Sequence, residues 1–192
     1  EATDLQGREV HLARDECVRS TDIDALARLP SLTPHGLVTA GNASEISDAA
    51  AAILLSDRNE AERSGCPFRY AIAGYGVCGV DPRVMGRGPV PSIAQALGKA
   101  GITQSQVGFW EINGAFAAQY LGVEKELDLN RETVNVNGGA VAIGHPLAAT
   151  GVRMIVDLIY EMQRRDVAYG CASACIGGGQ GVAVVIRDLE KT

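Results

Sequence analysis

From Leu37 onward, short apolar runs alternate with stretches of helical period. The runs at 49–55, 70–77, 107–112, 134–136, 169–174 and 182–186 have strand length and strand composition. Between them, 57–65, 91–100, 115–127 and 150–164 carry apolar residues spaced for one helix face. Ile93, Ala94 and Leu97 share such a face in the second, and Val152, Ile155, Val156 and Ile159 in the fourth. Gly101 follows the second as a stop, because glycine accepts the left-handed backbone that ends a helix. Strand and helix alternate four times, and two strands then close the chain around Gly177 to Gly181, which predicts an α/β domain with a mixed sheet whose last pair is a hairpin. Residues 1–36 are polar and weakly patterned, with a charged stretch from Asp15 to Arg19, a short periodic stretch from Ile23 to Leu29, and Pro30 and Pro34 as breakers. We therefore divide the chain into a peripheral arm, 1–36, and a main domain, 37–192.

Composition supports a real core. The 192 residues are 46% hydrophobic and 21% charged, which suits a folded domain and not a disordered one. A net charge of −6 argues against a nucleic-acid or anionic-membrane surface. The longest apolar run, Ala49 to Leu55, is far shorter than the ~20 residues of a spanning helix, and no signal sequence is visible. Five cysteines (17, 66, 78, 171 and 175), odd in number and without a CxxC pair, suggest neither a disulfide framework nor a zinc site and fit a reducing, cytoplasmic setting. Beginning on Glu1 and not on Met, the chain reads as a piece of something longer.

Gly74, Gly76 and Gly79 match the GxGxxG dinucleotide pattern after a strand-like run. That pattern needs a helix opening at its third glycine, and Asp81, Pro82, Gly86, Gly88, Pro89 and Pro91 follow instead, so a nicotinamide dehydrogenase is set aside. Asn42-Ala-Ser44 is formally a glycosylation sequon, but polar residues just before an apolar run read better as a helix N-cap. Three strand-end loops carry reactive groups among small residues: Asn113-Gly114-Ala115-Phe116, Gly144-His145-Pro146 and Cys175-Ile176-Gly177-Gly178-Gly179. Ligands of α/β sheets bind beyond strand ends, so these loops can share a pocket. Imidazole beside a thiol makes thiolate available near neutrality, and glycines after the cysteine leave N–H groups free for an oxyanion. The plainer alternative makes Cys175 a small core residue, His145 a satisfied loop histidine and the glycines a turn.

Five segments, Val38 to Ser44, Met85 to Pro91, Glu111 to Ala117, Asn135 to Pro146 and Cys175 to Gly179, stand in the order and spacing of the thiolases. The chain resembles the C-terminal half of that family from about Asp15 to Val185. The resemblance implies the thiolase half-fold, with a five-stranded mixed sheet and helices on both faces. It implies that Cys175 is the acid/base that moves the α-proton of acetyl-CoA, and that His145 activates a nucleophilic cysteine and donates to the thioester oxygen. Asn113 would hold the water of one oxyanion hole, and the Gly177 N–H would serve a second. Ala40, Ser44, Met85 and Phe116 would line the pantetheine tunnel, with Arg19 the one residue in the first thirty suggesting a phosphate contact. The acylated cysteine of the family lies in its N-terminal half, and none of the five cysteines here occupies that motif.

Two further features depart from the family: Gly114 stands where a glutamate is usual, and Pro146 to Gly151 carry Leu147, Ala148, Ala149 and Thr150 where Gly and Ser are usual, adding methyl groups near a crowded turn. The expectation is an acyltransferase half-subunit, exchanging acetyl-CoA and 3-ketoacyl-CoA by thiolysis or Claisen condensation. It would work with a partner chain carrying the nucleophile, as a dimer or tetramer of the assembled unit. Coenzyme A thioesters would be its substrates, with no metal, no redox cofactor, no nucleic acid and no membrane. The alternative is a non-catalytic subunit that binds coenzyme A or scaffolds a complex.

Overall fold

The structure, a computed structural model, describes residues 2–3, 6–11, 13 and 20–191. Arg19, expected at a phosphate, and Cys17 lie outside the described residues. Two short strands, β1 (Ala2–Thr3) and β2 (Glu9–Val10), pair near the start, and a five-residue helix, α1 (Ile23–Ala27), is capped by Asp22. Helix α2 (Arg58–Ser64) begins at Asp57, whose carboxylate accepts from the Glu60 N–H at 2.9 Å, and stops at Gly65 in the left-handed region. Then come β3 (Tyr70–Gly79), α3 (Pro89–Ala100), β4 (Phe109–Ile112), α4 (Ala117–Leu127), α5 (Ala140–Ile143), α6 (Leu147–Arg165), β5 (Tyr169–Ile176) and β6 (Gln180–Asp188). The α/β class and the closing hairpin are as expected.

The sheet runs β3-β6-β5-β4, with β4 and β5 parallel and both other pairs antiparallel. It has four strands among the described residues, and not five. The run 134–136 makes one bridge, Val134 to Trp110, and then turns away at Asn135, whose φ is 49°. The Asn135 side chain takes over from the missing strand: its Oδ1 accepts from the Ile112 N–H and its Nδ2 donates to the Ile112 carbonyl, both at 2.8 Å. One amide thus satisfies the edge of β4 where a strand would have.

The run 49–55 also fails to form a strand. No regular structure spans 44–57, and Ile46, Leu54 and Leu55 project into solvent. A lone strand has no ladder to join, and none of the described strands pairs with this one. Nor do Asn42 and Ser44 cap a helix: Asn42 Oδ1 accepts from the Thr39 N–H at 2.8 Å, closing a turn.

Two cores flank the sheet. On one face Ile93, Ala96 and Leu97 of α3 pack on Trp110, Ile112, Cys171, Ala183 and Val185. On the other, Met154, Leu158 and Met162 of α6, spaced four apart, pack on Phe109, Ala172 and Ile186. Each buried Val, Leu, Ile, Phe or Met among them stabilises by about 1.5–3 kcal/mol when removed from water. The GxGxxG glycines lie wholly within β3 and open no helix; a Cβ at Gly74 or Gly76 would collide with the α3 backbone, so these two serve close packing.

Candidate active site

The strand and helix ends bring Asn113 and His145 together. Asn113 follows β4, its N–H held by the Ser173 carbonyl at 2.9 Å, and its side chain is buried. His145 sits between α5 and α6, its own N–H donating to the Glu45 carbonyl at 3.1 Å. Gly144, at φ 93°, makes that turn, and a Cβ there would run into Ser47. Asn113 Nδ2 lies 3.3 Å from His145 Nε2, and His145 Nδ1 lies 2.8 Å from Thr150 Oγ1. With the asparagine amide as donor, Nε2 accepts and the ring proton sits on Nδ1, donated to the threonine. The three residues form one chain that fixes the imidazole on both nitrogens.

Burial, aided by the positive charge of Arg153, pushes the His145 pKa down, so the ring is neutral at pH 7. Burial also pushes the Cys175 thiol up. The expected thiolate beside an imidazole is therefore not what this chain holds by itself: both groups are neutral, and Cys175 is not part of the Asn113–His145–Thr150 chain. The reason is physical, since among the described residues no cation faces the thiol to offset its desolvation. Cys175 is the last residue but one of β5, opposite Gly181 in the hairpin, and Gly177 beyond the strand is exposed with open space at its α-carbon. Gly178 and Gly179, both at positive φ, complete the turn.

Ser44 and Phe116 are also brought together. The Ser44 N–H donates to the Ala115 carbonyl at 2.8 Å, Ala43 bridges Phe116, and the Ala117 N–H donates to the Asn42 carbonyl at 2.8 Å. Ala40 lies in the turn just before this contact. Met85 lies apart from it in sequence, in the 3-10 segment Pro82–Arg87 beside α4. Gly114 is buried against Tyr120, whose Cβ would stand 3.2 Å from an added side chain. Among the described residues no group of three or more His, Cys, Asp or Glu could hold a metal ion, and no helix is long and apolar enough to cross a membrane.

Sequence reasoning missed Thr150 as a partner of His145, treating it only as added bulk. It also missed Glu111, Arg153 and Asp157. Glu111 is buried two residues before Asn113 on the same strand face, with Arg153 Nη1 at 3.4 Å from its Oε2, and Arg153 reaches Asp157 at 2.7 Å. A charged residue inside a strand of buried neighbours was the signal available.

Comparison with known proteins agrees with this layout. The family model for the thiolase C-terminal domain matches residues 67–188, and that for the thiolase N-terminal domain matches residues 1–59. An acetyl-CoA acetyltransferase of Pseudomonas aeruginosa is 48% identical over 186 residues, 95% of this chain and 47% of that protein. The crystal structure of the Bacillus anthracis acetyl-CoA acetyltransferase superposes with a TM-score of 0.82 at 49% identity, covering 86% of this chain and 42% of that one. Human mitochondrial 3-ketoacyl-CoA thiolase, solved in complex with CoA, gives 0.80 at 43% identity, covering 88% of this chain and 43% of that one. The chain spans about half the length of the curated relatives it matches.

Proposed function

This chain belongs to the thiolase family, and we propose that it supplies the acid/base half of an acyl-transfer site for coenzyme A thioesters, the nucleophilic cysteine coming from a second polypeptide. The observation that carries this reading is the Asn113–His145–Thr150 chain, which presents a neutral imidazole with Nε2 free to exchange its amide contact for a reacting group. A neutral imidazole can take a proton from a thiol: the S–H bond breaks, an N–H bond forms at Nε2, and thiolate and imidazolium result. Cys175, kept as thiol by burial, holds a proton to give to a carbanion and, as thiolate, takes the α-proton of acetyl-CoA. Negative charge develops on the thioester oxygen in both half-reactions. Asn113 with His145, and the Gly177 N–H, are the donors suited to receive it.

Ala40, Ser44, Met85 and Phe116 line the pantetheine path on this reading, with Arg19 toward the phosphates. The contact between Ser44 and the Phe116 loop supports a shared wall. No metal or redox cofactor is required, the assembled unit is a dimer or tetramer, and it works in the cytoplasm.

The test mixes the chain with a thiolase N-terminal half and assays both half-reactions. Cys175→Ala should abolish condensation yet leave acylation of the partner's cysteine measurable. Near-normal condensation by the variant would reduce Cys175 to a packing residue. A second reading, a non-catalytic coenzyme A-binding subunit, draws on Gly114, where the family's carboxylate is absent. Coenzyme A binding without turnover in the mixture would favour it.

A further inference from the structure

We propose that Glu111 is a positioning residue for His145: with the partly exposed Arg153 and Asp157 it forms a charge cluster, buried at its Glu111 end, beneath the first turns of α6, and its ionised form supplies the counter-charge that lets His145 carry a proton. This inference rests on the functional reading above for its consequence, but the cluster itself is a matter of geometry.

Glu111 on β4 and Asn113, the residue just after the strand, are two apart in extended chain and so face the same side, toward α6. From α6 Glu111 meets Arg153 and Asp157, with Glu161 farther along the helix; from β5 its register partner is Ala172, which carries no charge. His145 feels the same Arg153. The arginine divides unequally, 2.7 Å to Asp157 against 3.4 Å to Glu111, so the Glu111 carboxylate is only partly compensated. Its Oε1 is buried without a partner, as are Asn113 Oδ1 and Arg153 Nε. A buried carboxylate with one oxygen lacking a protein donor is poorly compensated as an anion. Burial pushes the Glu111 pKa up to about 7, against the pull of Arg153.

The arithmetic of charge then decides the role. With Glu111 ionised, Arg153, Asp157 and Glu111 sum to one negative charge, and an added imidazolium makes the cluster neutral. With Glu111 protonated the three sum to zero, and the imidazolium leaves a net positive charge inside the protein. Taking a proton from a thiol is therefore easier above the Glu111 midpoint. Arg153, which acts on both groups, is the link between them, and a change of one pKa unit in the imidazole is worth about tenfold in that proton transfer.

The experiment has two arms. In the chain itself, with histidines labelled for NMR, the His145 ring signals should show an inflection near pH 7 in addition to their own titration. Glu111→Gln should remove that inflection, Glu111→Asp should keep it, and Arg153→Gln should raise the His145 midpoint. In the mixture with the N-terminal half, Glu111→Gln should lower kcat at pH 8 about tenfold with KM unchanged, and should flatten the acid limb near pH 7. A wild-type His145 signal without the inflection overturns the proposal, and needs no variant to fold. So does a Glu111→Gln enzyme with the wild-type acid limb. An inactive mixture whose wild-type chain still shows the inflection sinks the functional reading alone.

Discussion

The two ends of α6 treat a buried glutamate in opposite ways. At the C-terminal end Glu161 accepts from Arg165 Nε at 2.8 Å, Asn137 Nδ2 at 3.0 Å and Arg164 Nε at 2.7 Å. Burial works to raise its pKa, and these donors outweigh burial and hold it at about 2. At the N-terminal end Glu111 has one distant arginine, keeps an oxygen unpaired, and sits at about 7. Desolvation acts on both. What separates them is the number of donors, full pairing giving a fixed charge that locks structure and partial pairing giving a charge that can switch. The same helix thus anchors the fold at one end and, through Thr150, holds the His145 imidazole at the other.

The largest effect should come from the middle of the helix, which both ends need. Leu158 is fully buried between Met154 and Met162 and against Ile186, so Leu158→Ala should cost about 2–5 kcal/mol in urea unfolding and disturb both glutamates at once. Next is Asn135→Ala, which strips the Ile112 N–H and carbonyl of their partners and puts alanine at positive φ. It should cost about 2–4 kcal/mol, felt mainly at the Asn113 end. Glu161→Ala should follow at about 1–3 kcal/mol, since Asn137 loses its acceptor while the two arginines return to water. If Glu161→Ala instead abolished the Glu111-dependent inflection at His145, the two ends would be one network and the contrast would fail.

The pH dependence of stability sharpens the same contrast, with opposite signs. Glu161 is depressed on folding, so its contribution is complete above its unfolded value near 4.5 and is lost as pH falls toward about 2. Asp188, held down by Arg69 in a paired contact of 2.7–3.1 Å that joins the start of β3 to the end of β6, behaves the same way. Glu111 is raised on folding, so between about 4.5 and 7 the native state binds the extra proton and stability falls as pH rises. Urea midpoints measured from pH 3 to 8 should therefore rise and then decline. Glu111→Gln should remove the decline, and Glu161→Gln should flatten the rise.

Much of this was legible in the residues. The helix end at Gly101 was marked by its capping chemistry, because a cap is a local event that needs no distant partner. Asn113 could be placed at a strand end; His145, expected at another, sits between α5 and α6, and the two still meet. The misreadings share a cause. Whether 134–136 forms a strand depends on Asn135 adopting a left-handed turn and offering its amide to Ile112, a tertiary choice invisible in an apolar run. Thr150 and Glu111 gain their roles only when α6 lies on β4, so no local pattern announces them. The neutrality of Cys175 likewise depends on what surrounds it, and a Cys–His pairing in sequence says nothing of desolvation.

The smallest effect is expected where the reading of 49–55 as a strand went wrong. These residues have strand composition, yet Leu54 and Leu55 are 83% and 71% exposed and make no core contact. Removing an exposed leucine takes nothing from the core, so Leu54→Ser should change the chain's unfolding free energy by no more than about 0.5 kcal/mol. The same side chains, with Ile143, Leu147 and Ile176, leave the chain with apolar surface that drives association. The chain alone should then sediment as a self-associating species that binds ANS, and Leu54→Ser should weaken both signals. With a thiolase N-terminal half added, the wild-type chain should become ANS-silent, and Leu54→Ser should now lower the stability of the assembly, because the run would have found the sheet its composition suits. A monodisperse, ANS-silent chain, unaltered by the added half, would show that residues 49–55 need no partner.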